Sequence, residues 1–171
     1  IRATEELYGL PAKILVQTGY GILDTILRDK DASNSGPPPT GGTGKRVLIA
    51  PSWGEQGLIE TVGQELVETL LRAGHRVTLR PHTMTIRQSP KLLKEFGERF
   101  GSRTDFHLDL DLTSQGTAAA SDIMISDWSG AALEYALGSE RPVISVDVPR
   151  KINNPEYERI PSVPIEVKLR P

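Results

Sequence analysis

Residues 121–148, SDIMISDWSGAALEYALGSERPVISVDV, decide the fold. An apolar run, Ile123 to Ile125, enters the small turn Ser126-Asp127-Trp128-Ser129-Gly130. An Ala- and Leu-rich helix is then predicted over about 130–138, and a second apolar run, 142–148, closes the unit. Strand, helix and strand in so short a span make a parallel βαβ unit. The turn is also a candidate anion site. The first amides of a helix have no intrahelical partners and lie at the positive end of its macrodipole. Ser129 adds a hydroxyl there, and Gly130 removes the side chain that would hold a diphosphate away. The competing reading is that Ser126, Asp127 or Ser129 simply caps the helix.

Working outward, the same alternation recurs. RVLIAPSW gives a strand over 46–50 ended by Pro51, and Leu58, Ile59, Val62, Leu66, Val67, Leu70 and Leu71 then repeat at helical spacing until Gly74. HRVTLRPH is a second strand. Ser89-Pro90 opens a helix with Leu92, Leu93, Phe96 and Phe100 on one stripe, and TDFHLDLDL reads as a third, strictly alternating strand. A low-propensity stretch, TSQGTAAA, leads back to residue 121. The order βαβαβ(α)βαβ predicts a Rossmann-like three-layer α/β/α domain over 46–150 with a mainly parallel sheet. Such sheets take ligands beyond the carboxyl ends of their strands.

Upstream, AKILVQTGYGILDTILRD predicts a short strand over 14–16, a glycine turn and a helical turn or two over 22–27. Residues 29–45, DKDASNSGPPPTGGTGK, have nothing to bury and read as a flexible Pro/Gly linker. Their GGTGKR end is not a phosphate loop: Pro39 stands where the first glycine is needed and Arg46 where a hydroxyl is needed. Residues 151–171 form a carboxyl-terminal extension. The first residue is Ile1, not Met, which suggests a piece of a longer protein.

Composition narrows the function classes. The 171 residues carry 22 acidic and 20 basic side chains, a net charge of -2 without a basic face, so nucleic acid is not an expected partner. Zero Cys excludes disulfides, thiolate metal sites and a cysteine nucleophile. No apolar run is long enough to span a membrane.

Several candidate site residues fall at strand ends. The first strand runs into Ser52 and Trp53 without the GxGxxG of a dinucleotide fold, and Trp53 reads equally as a packing residue or a ligand-facing one. The second strand ends in Arg80-Pro81-His82, a fixed fork for phosphate oxygens and a hydrogen-bond donor. His107, Asp109 and Asp111 share one face of the third strand, but side chains at that spacing point in parallel and do not converge on a metal. No GxSxG elbow supports a serine hydrolase.

In order, Thr18-Gly19-Tyr20 with Asp24, Ala50 to Gly54, Arg80-Pro81-His82-Thr83, and Asp122 to Gly130 followed by Arg141-Pro142-Val143 resemble the motifs of the CDP-glycerol glycerophosphotransferases. That family builds teichoic-acid-type polymers on the GT-B architecture. The resemblance covers about residues 12–148 and implies the carboxyl-terminal, donor-binding half, with residues 1–28 an interdomain segment that follows an acceptor-binding domain missing here. It implies that Arg80, His82, Ser129 and Gly130 bind donor phosphates, and that Ser52, Trp53, Asp127 and Glu134 shape the site, Glu134 near the ribose. It implies neither metal nor cofactor, a nucleotide-diphosphate donor, and a catalytic base in the missing domain, so that this piece alone is inactive. It also implies a cytoplasmic setting, with peripheral placement at the inner face of the membrane and a membrane-associated acceptor as options. Gly21, Gly54, Thr83, Trp128 and Gly130 depart from the family pattern, which leaves the donor open between CDP-glycerol and a sugar nucleotide. The alternative is a non-catalytic Rossmann-like module that binds a nucleotide or a protein.

Overall fold

In a computed structural model, which describes residues 1–33, 44–111, 116–152 and 154–169, the strands form one five-stranded parallel sheet. Its strands are β1 (Arg46–Ile49), β2 (Arg76–Leu79), β3 (Phe106–Leu108), β4 (Ile123–Ser126) and β5 (Val143–Ser145), in the spatial order β3-β2-β1-β4-β5. All four strand pairs are parallel, with Val47 opposite Val77 on one side and Ile123 on the other. The helices are α1 (Arg2–Leu7), α2 (Gly21–Ser33), α3 (Leu58–Thr61), α4 (Gly63–Arg72), α5 (Thr83–Gln88), α6 (Pro90–Phe100), α7 (Gly116–Ala120), α8 (Gly130–Ser139) and α9 (Ile165–Lys168), with a short 3-10 turn at Tyr157–Arg159.

The period-two alternation of the strands explains the two layers. Val47 and Ile49 of β1 and Ile125 of β4 point to one face, where Leu58, Ile59, Val67, Leu71, Phe96 and Phe100 pack against them. Leu48, Ala50 and Met124 point to the other, onto Tyr135, Ala118 and Ala132. The first core is large and aromatic and the second is small and Ala-rich, because α7 and α8 carry alanines where α4 and α6 carry Leu, Val and Phe.

The structure differs from the sequence expectations at several points. The helix expected over 58–71 is broken at Val62 (φ -118°, ψ 3°) into α3 and α4, where a Cβ on Gly63 would already touch Ile59 and Phe96 at 3.0 and 3.1 Å. Residues 14–16 are not a strand: Ile14 and Val16 are 94% and 75% exposed, and among the described residues no strand pairs with them. The third strand is only Phe106–Leu108, and the last ends at Ser145. The helix expected over 22–27 runs to Ser33, past the expected linker start; residues 34–43 lie outside the described residues. This α2 packs on α8 and α7, over the Ala-rich face.

Candidate functional site at the strand-order reversal

From β1 the chain moves outward to β2, whereas from β4 it moves the opposite way to β5, so the loops after β1 and β4 diverge and leave a crevice between them. Both loops are stapled there by buried polar groups. Ser126 Oγ donates to the Ala50 carbonyl at 2.6 Å. The Asp127 carboxylate accepts the N–H of Ser52 at 2.6 Å through Oδ1 and the N–H of Leu58 at 3.1 Å through Oδ2. Asp127 thus organises the β1–α3 loop across the crevice from its own turn: Leu58 is the first residue of α3, and its amide would otherwise be orphaned.

Trp53, on that loop, stacks on His82 with ring centroids 6.2 Å apart and an interplanar angle of 23°. His82 caps α5: its Nδ1 accepts the N–H of Met84 at 3.1 Å. In the neutral ring the proton is therefore on Nε2, which is left as a donor. Burial, reinforced by the positive charge of Lys151, pushes the His82 pKa below its usual value. Lys151 lies with its ammonium over the Trp53 ring, and desolvation lowers its pKa too.

The other expected residues fall elsewhere. Ser129 caps α8, its Oγ accepting the N–H of Ala131 at 3.3 Å, so the capping reading holds for that hydroxyl. Beside it, a Cβ on Gly130 would point into open space. Arg80 turns to the opposite face, donating to Thr117 Oγ1 at 3.3 Å, with its Nε 4.0 Å from Asp109 Oδ2. There Arg80 lines a cavity of about 160 Å³ under α2, together with Glu134, Tyr135 and Arg141. Glu134 accepts a 2.5 Å hydrogen bond from Tyr20. Ser52 and Trp53 instead border a cleft of about 240 Å³ against residues 148–151. Trp53 and His82 thus come together, Asp127 holds the loop that carries Trp53, and Arg80 with Glu134 forms a separate group.

Sequence reasoning missed Lys151 and Glu60. Lys151 follows the last strand, two strands over from the one that leads to Trp53, and that proximity is not readable from the sequence. Glu60 lies in the first turn of α3, and its Oε2 is buried without a hydrogen-bond partner. Burial, with a further contribution from the Asp127 charge, pushes its pKa up, although its own backbone N–H pulls the other way. Among the described residues no group of three or more His, Asp or Glu side chains is placed to hold a metal. None of the described helices is long and apolar enough to cross a membrane.

No family model and no curated protein matches the chain. Solved structures that overlap with it include two transferases. One is KpsC, the beta Kdo 2,7 transferase of Thermosulfurimonas dismutans, at 17% identity and a TM-score of 0.40, covering 75% of this chain and 43% of that one. The other is the wall teichoic acid polymerase TagF, soaked with CDPG, at 18% identity and a TM-score of 0.42, covering 83% of this chain and 35% of that one. The chain spans less than half the length of either.

Proposed function

We propose that the chain is the donor-binding half of a transferase. It would move glycerol phosphate from CDP-glycerol, or a sugar from another nucleotide-diphosphate donor, to a hydroxyl acceptor in cell-envelope polymer synthesis. The observation that carries this reading is the crevice at the strand-order reversal, where Asp127 joins the β1 and β4 loops and Trp53 of the β1 loop stacks on His82. A parallel sheet offers its ligand site at that place, and His82 of the second-strand motif stands beside it.

The chemistry follows from the donor. In the glycerol phosphate case the acceptor oxygen bonds to the β-phosphorus, the bond from that phosphorus to the bridging oxygen breaks, and the nucleoside monophosphate departs. In the sugar case the acceptor attacks the anomeric carbon and the nucleoside diphosphate departs. Either way the acceptor proton goes to a base, which this reading assigns to the acceptor-binding domain outside the chain. His82 Nε2–H and the start of α8 at Gly130 would stabilise charge on the departing phosphate. Arg80 and Glu134, on the far side of α8's first turns, would meet the remainder of the nucleotide. No metal or cofactor is invoked, and attachment to the inner face of the membrane would come through the rest of the parent protein.

Calorimetric titration of CDP, CDP-glycerol, UDP and UDP-sugars into the wild type and His82→Ala tests the reading. Binding of at least one nucleotide, weakened in the variant, is expected; no binding of any at millimolar concentration would sink it. The Tyr20–Glu134 bond favours a second reading, a non-catalytic Rossmann-like module that binds a nucleotide or a protein, because the acid near the expected ribose is already engaged. A full-length parent that consumes CDP-glycerol or a sugar nucleotide would exclude that alternative.

A further inference from the structure

The strap from Val148 to Lys151, which follows β5, forms one wall of the 240 Å³ cleft whose other wall is the β1–α3 loop from Ser52 to Gly57. The strap and the residues leading into it are tied to the end of β4 and the turn after it. Val146 N–H donates to the Ser126 carbonyl at 2.8 Å, and Trp128 Nε1 donates to the Val148 carbonyl at 2.7 Å. Arg150 is fixed over two rings, 5.9 Å from the Trp128 centroid and 4.8 Å from that of Tyr157. The next side chain, Lys151, reaches across the cleft to the opposite wall. Its Cδ passes 3.6 Å from where a Cβ on Gly54 would stand, and its ammonium rests on Trp53. Among the described residues the partner of that ammonium is an indole and not a carboxylate. Glu55 is the acidic residue in the cleft lining.

The Lys151 ammonium and the Nε2–H donor of the neutral His82 ring are therefore gathered around one tryptophan. A phosphate oxygen offers an ammonium a charge-assisted hydrogen bond, stronger than the face of an indole. We infer that Lys151 is a phosphate-binding residue of the crevice, which leaves Trp53 to close on the diphosphate of a nucleotide together with Nε2 of His82. This rests on the donor-binding reading for the identity of the ligand, but not for the presence of an anion site. Lys151 supplies a point charge on a flexible stem, which suits a phosphate whose orientation is set by other groups.

The experiment is calorimetry on the full chain with CDP, CMP and inorganic pyrophosphate, using wild type, Lys151→Met and Lys151→Arg. Lys151→Met keeps the stem over Trp53 and removes only the charge. It should weaken CDP and pyrophosphate by roughly tenfold or more and CMP by less than threefold, and Lys151→Arg should recover most of the loss. A role limited to packing would leave Lys151→Met indistinguishable from wild type toward all three, which overturns the inference while CDP binding upholds the donor reading. Lys151-dependent binding of pyrophosphate without binding of CDP upholds the anion site and overturns the nucleotide. Binding of neither overturns both.

Discussion

The Asp127 carboxylate, at the end of β4, accepts the backbone N–H of Ser52, at the end of β1, at 2.6 Å, and the same group receives Leu58 N–H at 3.1 Å. Two loops far apart in sequence share one buried acceptor. Asp127→Ala would strand both amides, so a loss of about 2–4 kcal/mol is expected, with Asp127→Asn losing less because one oxygen still accepts. Urea unfolding of the two variants measures this. Midpoints equal to wild type would mean that the loops are held by something else.

Acid should weaken the domain through Asp122. The Arg46 side chain, aided by the Arg46 backbone N–H and charge, outweighs desolvation and holds this carboxyl down to about 2 from an ordinary 3.8. The folded pKa lies below the unfolded one, so the stabilisation is present above the unfolded value and is lost as pH falls from about 4 through about 2. Both partners are about one-third exposed, and screening cuts the contribution to about 1 kcal/mol. Asp122→Asn should flatten that part of the stability–pH curve. An unchanged slope between pH 4 and 2 would refute the assignment.

His82 should titrate below its ordinary 6.5, because burial and then Lys151 disfavour the imidazolium. The proton would also remove the Nδ1 acceptor that holds Met84 N–H. The stability this ring contributes is present above the unfolded pKa and lost as pH falls through the folded one. Following the Cε1–H resonance by NMR gives the value directly, and Lys151→Met should raise it. Titration at or above 6.5 in the wild type would contradict the packing around the ring.

A methyl at Gly138 has no room. Its Cβ would stand 2.6 Å from Cγ2 and 3.0 Å from Cβ of Ile26, both on the stiff, branched part of that side chain. Gly138→Ala should cost about 1–3 kcal/mol, and pairing it with Ile26→Ala should recover part of that loss. Additive losses in thermal melts of the single and double variants would disprove the contact.

The sheet was legible because most of its strands are short apolar runs set off by Gly or Pro, as at Pro51, Gly74, Pro81 and Pro142, with a helical period between most of them. Even the face assignment follows from alternation: Val47 and Ile49 one way, Leu48 and Ala50 the other. Three-dimensional pairings were not legible. Nothing in Asp127 announces that its partners are Ser52 and Leu58, and Lys151 lies 98 residues from the ring it covers. A glycine close to a helix end suggests a terminator, yet α8 ends on Glu140 in the left-handed region, φ 57°, while Gly138 is a notch for Ile26. Residues 14–16 look like a strand only while the missing neighbour is ignored.

The position of α2 moves the edge of the folding unit. Ile26 sits in the Gly138 notch and lines the cavity beside Glu134, so residues 21–33 belong to the body by contact although the Pro/Gly stretch separates them from it in sequence. An expression boundary drawn at Arg46, where composition invites one, would strip the cover from the Ala-rich face and leave a sticky surface. Conversely, two polypeptides split within residues 34–43 would retain the interface needed to find each other again.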